Sequence, residues 1–349
     1  MIFVLGPCSA ETEQQVLQTA KELRQTLLAA PFASLKEPIK FFFRAGLWKP
    51  RTMPNSFEGV GKEGIVWLSR VEKECHFNVC TEIACREHLQ LCLAGGLRSF
   101  WIGARSTINP FIVQQIADEI AHFDEKDALT IMVKNPVSAD LELWLGAIER
   151  IRQAGVNNIY AIHRGFTPSQ PTPYRNTPLW SIPIELKRRH PELKLLCDVS
   201  HIAGKRELIG SLINQSVNLC FDGLMVEIHC SPCNALSDAQ QQITSSEFAQ
   251  IFSHIALPQH QSEISQLRQL RQQIDEIDES LWQLVLQRQQ VSRQIGEVKK
   301  KSNLPVLQVD RYNELLSTRT QWAEQNGLSA DVAKKITEAL HESSIAAQL

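Results

Sequence analysis

Short apolar runs alternate along this chain with longer stretches whose apolar residues recur at helical spacing. "IFVL" (2–5), "IKFFFR" (39–44), "FNVCT" (77–81), "SFWIG" (99–103), "LTIMVK" (129–134), "NNIYAIHR" (157–164), "LKLLCDVS" (193–200) and "FDGLMVEIH" (221–229) have the length and composition of buried strands. Between them lie amphipathic patterns such as "EQQVLQTAKELRQTLL" and "ADLELWLGAIERIRQAG". In the second, Leu141, Leu145, Ile148 and Ile151 share one helical face and Gly155 is placed to stop the helix. Strand then helix, repeated through residues 1–256, predicts a (β/α)8 barrel of roughly 250 residues. A doubly wound open sheet is the alternative, but no strand is followed by the GxGxxG turn that such sheets use to hold phosphates.

The pattern changes after "LPQHQSE" (257–263), a polar linker whose proline breaks any preceding helix. Across 264–349 Leu267, Leu270, Ile274, Ile277, Leu281, Leu284, Val291, Ile295 and Val298 follow a 3,4 spacing, the signature of one long helix with a single apolar seam. Pro305 is expected to stop it. A second helix is predicted from about Asp310 to Gln325 with Gly327 as its stop, and a third from Ser329 as N-cap. Three helices, the first about 40 residues and some 60 Å long, do not close into a compact monomer, which predicts at least a homodimer through this all-α domain. Arg288 interrupts the seam between Leu284 and Val291, where a buried guanidinium requires an anion. Lys299 returns to nearly the same face about three turns later, so a small dianion between the two would answer both charges.

Composition narrows the partners. The 349 residues carry a formal net charge of -2, which argues against nucleic acid or an anionic membrane surface and leaves local cationic clusters acting on small anions. The 9 cysteines are odd in number and irregularly spaced, and the N-terminus lacks a basic region and an export-length apolar run. A cytoplasmic protein with reduced thiols is expected. "CSPC" (230–233) has no second CxxC at finger spacing and reads as a plain loop.

In a barrel the chemistry sits where the strands end. Those ends carry Cys8 after the first run, Arg44, Lys49 and Arg51 after the second, Arg105 after the fourth, Lys134 at the fifth and Arg164 at the sixth. Asp198 and His201 follow at the seventh, and Glu227, His229 and Asp238 at the eighth. A ring of Arg and Lys suits substrates bearing phosphates and carboxylates. Cys8, His201, Glu227 and Asp238 would supply S, N and O ligands to a divalent metal, with Mn2+, Fe2+, Co2+ or Zn2+ as candidates.

With "GPCS", "KPRT" (49–52), "GARS" (103–106), "VKN" (133–135), "YRNT" (174–177), "DVSH" (198–201), "VEIH" (226–229) and "ALSD" (235–238) in this order, residues 1 to about 256 resemble the type I 3-deoxy-D-arabino-heptulosonate 7-phosphate (DAHP) synthases of the shikimate pathway. With the first run at residues 2–5, the chain is expected to lack the additional N-terminal regulatory domain of some members. The resemblance implies a metal-dependent condensation of phosphoenolpyruvate, held by Arg44, Lys49, Arg105, Lys134 and Arg164, with erythrose 4-phosphate, held by Arg51, Thr52 and Arg175. Met53 after "KPRT" and "HIAGKRE" in place of a more usual "HSGG" stretch depart from the pattern. An octulosonate phosphate synthase is the alternative within the fold, but it carries a KANRS-like stretch where this chain has "KPRT".

Residues 262–349 resemble the all-helical chorismate mutases. The resemblance implies a chorismate site built from Arg271, Arg288, Lys299, Arg311, Tyr312, Ser344 and Gln348. Tyr312 stands where the family has Glu, and Gln308 where it has Asp. Arg271 lies roughly 25 Å along the helix from Arg288 and is expected to serve the partner chain's site. A bifunctional enzyme follows as the expectation, with prephenate or chorismate as a feedback effector; a helical domain that only senses such ligands is the alternative.

Overall fold

The computed structural model describes residues 1–34, 39–49, 57–255 and 265–349. They fall into two compact units, Met1–Pro258 and Gln259–Leu349. The expected linker, 257–263, lies outside the described residues.

The first unit opens with Ile2–Gly6 (β1), Glu13–Leu27 (α1), Lys40–Arg44 (β2), Glu63–Cys75 (α2), Asn78–Ile83 (β3) and Arg86–Ala94 (α3). It continues with Ser99–Ile102 (β4), Ala104–Thr107 (α4), Pro110–Ala121 (α5), Thr130–Lys134 (β5), Leu141–Gln153 (α6) and Asn158–His163 (β6). Ser181–Arg189 (α7), Lys194–Asp198 (β7), Val199–Ala203 (α8), Ile209–Asn218 (α9), Gly223–Glu227 (β8) and Ser245–Ser253 (α10) complete it. The strands pair in parallel in chain order and β8 returns to β1, closing the barrel. Each of the eight runs read from the sequence overlaps one of these strands, β1 and β3 extending beyond theirs to Gly6 and Ile83.

Side chains alternate across each strand. Ile2, Val4, Phe42, Trp101, Met132, Leu196 and Met225 fill the barrel interior, while Phe3, Leu5, Phe43, Phe100 and Val133 face the surrounding helices. Both surfaces are apolar, which is why these strands read as continuous hydrophobic runs rather than alternating ones. Phe3 on β1 packs edge-on against Phe32 and Phe252, so the first strand and α10 share one aromatic cluster across the closure. Local signals fix the helix starts: Thr12 accepts from the Gln15 amide, Asp140 from the Leu143 amide, and Thr244 with Glu247 forms a capping box.

The second unit contains Ser265–Lys301 (α11), Val309–Gln325 (α12) and Ala330–Gln348 (α13), with α13 against both others. The first helix stops earlier than Pro305 requires, because Asn303 turns left-handed at φ 54° and the Leu304 amide folds back to the Lys299 carbonyl. Ser329 stands at the N-cap of α13, but its side chain makes no capping hydrogen bond. Gly296 is required for packing: a Cβ there would lie 2.9 Å from the Gln348 Cα. Along the α11 seam Leu270, Ile274, Ile277, Leu281, Leu284 and Val291 are 49–66% exposed, so the described residues of one chain leave it uncovered.

Candidate active site

Four strands end on a buried charge: Arg44 on β2, Lys134 on β5, Asp198 on β7 and Glu227 on β8. Arg44 Nη2 donates to Glu227 Oε1 at 3.1 Å and Lys134 Nζ to Asp198 Oδ2 at 2.7 Å. Both cations also lie over the Trp101 ring, at 4.9 Å and 5.8 Å from its centroid. Trp101 in turn donates its indole N–H to Glu82 at 3.0 Å. Gly6 allows the end of β1 to approach this layer, since a Cβ there would stand 2.3 Å from the Arg44 carbonyl oxygen and its φ is +141°.

The Arg44 guanidinium is only partly satisfied. Nη2 reaches Cys8 O and Glu227, while Nε and Nη1 are buried without a hydrogen-bond partner among the described residues. Buried donors of this kind are costly unless something completes them.

Beside this layer Cys8 Sγ, Glu227 and Asp238 bring their ligand atoms within 4.8 Å of one another. The Cys8 thiol lies 3.1 Å from Asp238 Oδ2, Lys49 Nζ stands 2.9 Å from its sulfur, and Gln242 accepts the Cys8 amide at 3.0 Å. Burial, reinforced by Glu227 and opposed by Lys49, pushes the thiol up to about 12. It is therefore protonated here, and binding as a thiolate requires loss of that proton. Burial also raises the Glu227 and Asp238 carboxyls, but the groups around them, His201 foremost, outweigh it and hold both below their usual range. Asp238 sits in the left-handed region at φ 48°, which Asp tolerates better than most residues. Two adjacent carboxylates and a thiol form a donor set that fits a divalent cation. His201 Nδ1 lies 2.9 Å from Asp198 Oδ2 and 3.7 Å from Glu227 Oε1, at the edge of the group, and has no hydrogen bond of acceptable geometry.

The outer cations surround this centre. Arg164 Nη1 donates to Asn176 Oδ1 at 2.8 Å, and its amide to Asn135 Oδ1 at 2.7 Å. Burial, with Arg175 and Arg105 adding and Asp198 opposing, draws the Arg164 guanidinium down to about 10. Arg105 lies exposed on α4. Arg175 bridges Asp238 at 3.0 Å and Gln241 at 2.7 Å, and with Lys205, Tyr174 and Asp238 it lines a cavity of about 460 Å³. Arg51 and Thr52 lie outside the described residues. Asn135, Asn176, Gln241 and Gln242 escaped the sequence reading. The two asparagines stood inside quoted motifs, whereas the glutamines carried no local signal. The "CSPC" stretch lies in the loop between Glu227 and Asp238, where Cys233 approaches the Arg206 guanidinium at 3.7 Å.

In the helical unit Arg288 donates to the Leu340 carbonyl at 2.7 Å and to the Ser344 hydroxyl. Lys299 donates to the Val306 carbonyl at 2.6 Å and to Gln348 Oε1 at 3.0 Å. The structure thus brings together Arg288, Lys299, Ser344 and Gln348. Arg311 pairs instead with Glu314 at 2.5 Å on the exposed side of α12, and Tyr312 stacks on His341 with ring centroids 4.1 Å apart. Arg271 is exposed on α11.

Residues 1–259 match the DAHP synthetase I family and residues 270–349 match chorismate mutase type II. The chain is 26% identical over 249 residues to the phospho-2-dehydro-3-deoxyheptonate aldolase of Thermotoga maritima, covering 71% of this chain and 67% of that protein. It is 24% identical over 254 residues to the 2-dehydro-3-deoxyphosphooctonate aldolase of Paracidovorax citrulli, covering 69% and 84%. The crystal structure of the Thermotoga maritima phospho-2-dehydro-3-deoxyheptonate aldolase (DAHP synthase) superposes with a TM-score of 0.61 at 25% identity, over 72% of this chain and 66% of that one.

Proposed function

We propose that this chain, which belongs to the DAHP synthetase I family, is a bifunctional shikimate-pathway enzyme that condenses phosphoenolpyruvate with erythrose 4-phosphate and rearranges chorismate to prephenate. The observation that carries the first activity is the fully buried Arg44 with two unpartnered donors, beside Lys49 and Lys134 and above a thiol–carboxylate cluster. An anionic substrate supplies what those donors lack.

In this reading Arg105, Lys134 and Arg164 hold the phosphate of phosphoenolpyruvate, and Arg44 and Lys49 its carboxylate. Arg51, Thr52 and Arg175 hold the acceptor's phosphate, Arg175 from the wall of the cavity that reaches Asp238. Cys8, His201, Glu227 and Asp238 hold a divalent cation, which when bound supplies Lewis-acid polarisation of the acceptor's aldehyde. The residues fix the donor so that C3 of the enol faces the aldehyde carbon: the C3–C1 bond forms, water adds at C2 and phosphate leaves. Orientation by paired cations on both substrates accounts for much of the rate such a site can supply.

In the helical unit Arg288 fixes a carboxylate of chorismate, while Lys299 and Gln348 meet the charge that develops on the breaking ether oxygen. The uncovered α11 seam supports a homodimer in which Arg271 reaches the partner's site. Ser344 lines the pocket, and Arg311 reaches it by leaving Glu314. Both substrates are soluble anions, and we place the enzyme in the cytoplasm; no helix among the described residues is long and apolar enough to cross a membrane. Binding of prephenate or chorismate by the helical unit would also inhibit the barrel wherever that ligand has higher affinity for its inactive state.

The test is to assay both reactions on the full chain and on a fragment ending near Leu257, with and without prephenate. Both activities are expected in the full chain, and uninhibited synthase in the fragment. Absence of heptulosonate phosphate formation in the presence of added divalent metal would refute the barrel assignment. An inactive but prephenate-binding helical unit would leave it as a ligand sensor, a role the departures at Gln308 and Tyr312 favour.

A further inference from the structure

On α13, His341, Ser344 and Gln348 follow one another at the spacing of a single helical stripe. Ser344 takes Arg288 and Gln348 takes Lys299, so the two cations of α11 are both engaged along this stripe. His341 is different. Among the described residues of the helical unit, its Nε2 is the buried side-chain nitrogen or oxygen left without any hydrogen-bond partner. Its ring is held against Tyr312 of α12, 4.1 Å between centroids and 15° between planes, so the stack restrains the imidazole from turning freely towards solvent. Arg288 and Lys299 both act on it: burial first, then these two cations, lower its pKa from the ordinary histidine value. A neutral imidazole with one unmet nitrogen therefore borders a pair of cations.

A ligand matching this arrangement has carboxylates for the cations and one uncharged polar group for the imidazole. Chorismate offers two carboxylates, an ether oxygen and a single free ring hydroxyl. We propose that His341, supported by the stacked Tyr312, is a substrate-contacting specificity residue of the helical unit, whose Nε2 hydrogen-bonds the ring hydroxyl of the bound dicarboxylate. This assignment rests on the reading of that unit as a chorismate site. A carboxylate at the same place would face the substrate's own negative charges, whereas an uncharged imidazole takes the hydroxyl without that repulsion.

The experiment compares kcat/KM for chorismate and for an analogue lacking the ring hydroxyl, in the full chain and in His341→Phe, His341→Gln and Arg288→Ala. Phe keeps the ring stack on Tyr312 and removes the nitrogen; Gln restores a hydrogen-bonding group if Phe disturbs packing. His341→Phe is expected to lose about tenfold on chorismate, the factor of one ordinary hydrogen bond. It should lose nothing on the deoxy analogue, and His341→Gln should recover part of the loss. Equal losses on both substrates, or none on chorismate, overturn the assignment. Arg288→Ala separates this from the underlying reading: it should depress both substrates together. If it depresses neither, the chorismate site itself is misplaced, and the His341 assignment falls with it.

Discussion

Replacing Arg44 by Met tests the electrostatic logic of the barrel, because it removes the charge while keeping most of the side chain's length. The Arg44–Glu227 pair is 1% and 0% exposed, with Nη2 and Oε1 3.1 Å apart. At that distance, and at an effective dielectric constant of about 20, the pair attraction is about 5 kcal/mol. Breaking a buried pair by deleting one partner costs about 3–5 kcal/mol, since the remaining charge stays desolvated. Two contacts place this case at the lower end, about 3 kcal/mol: Gln241 still donates to Glu227 Oε2 at 2.7 Å, and His201 Nδ1 stands 3.7 Å from Oε1.

For a unit of this size, about 3 kcal/mol corresponds to a fall in Tm of about 6–12 °C. Urea and thermal unfolding followed by barrel tryptophan fluorescence, in chelator, would read it. The double variant Arg44→Met, Glu227→Gln removes the orphaned charge as well, and should recover at least half of the loss. A single variant within about 1 kcal/mol of the parent, or a double variant less stable than the single one, would refute the claim that Glu227 depends on Arg44.

Three further outcomes are expected. Burial raises the Asp198 carboxyl, but His201 and Lys134 hold it well below its unfolded value, so its contribution is present above about pH 4 and is lost as pH falls through the folded pKa; Asp198→Asn should flatten the acid limb of stability against pH, and an unchanged slope would contradict this. Erythrose 4-phosphate should be preferred over arabinose 5-phosphate in kcat/KM, and equal values would support the octulosonate alternative instead. Cys8→Ser should weaken Mn2+ or Zn2+ affinity about tenfold or more in direct titrations while unfolding cooperatively, and chelation should abolish synthase activity until metal is restored.

The barrel was legible because its strands are buried on both faces, so their hydrophobic runs are continuous, and β2, β5, β6, β7 and β8 each end abruptly on a polar or charged residue. Arg44, Lys134, Asp198 and Glu227 could be placed in one layer for that reason. The neutral side chains that hold the charges were not legible. Gln241 and Gln242 fall in a polar run that would be equally at home on any surface loop; the segment after β8 folds Gln241 back onto Glu227, and the closure of β8 against β1 brings Gln242 to Cys8. In the helical unit, Arg288 stood out by breaking an apolar seam, and Lys299 by returning to nearly the same face about three turns later. His341 broke nothing: α13 is mixed enough in polarity that a histidine on it reads as one more polar position. Arg311, a charge named by its place in a pattern, pairs with Glu314 in the described chain.

Two of the cations assigned to substrate are spent on carboxylates assigned to metal. Arg44 is held by Glu227 at 3.1 Å and Arg175 by Asp238 at 3.0 Å. A divalent cation among Cys8, Glu227 and Asp238 would compensate those carboxylates and release both guanidinium groups towards phosphate and carboxylate groups of the substrates. Substrate anions, in turn, would withdraw the competing guanidinium charge from the metal's ligands. Linkage requires the two effects to be equal, whichever ligand binds first. A coupling of about 1–3 kcal/mol, or roughly 5–150-fold, is the ordinary range for such an exchange. Titration of Mn2+ with and without saturating phosphoenolpyruvate should therefore show tighter metal binding in its presence, and the converse titration the same factor. The coupling should shrink in Arg44→Met, where the substrate loses the guanidinium that metal releases. Independent binding in the parent chain would mean that Arg44 and Arg175 stay on their carboxylates throughout, and that the substrates are held by Lys49, Arg105, Lys134 and Arg164 without them.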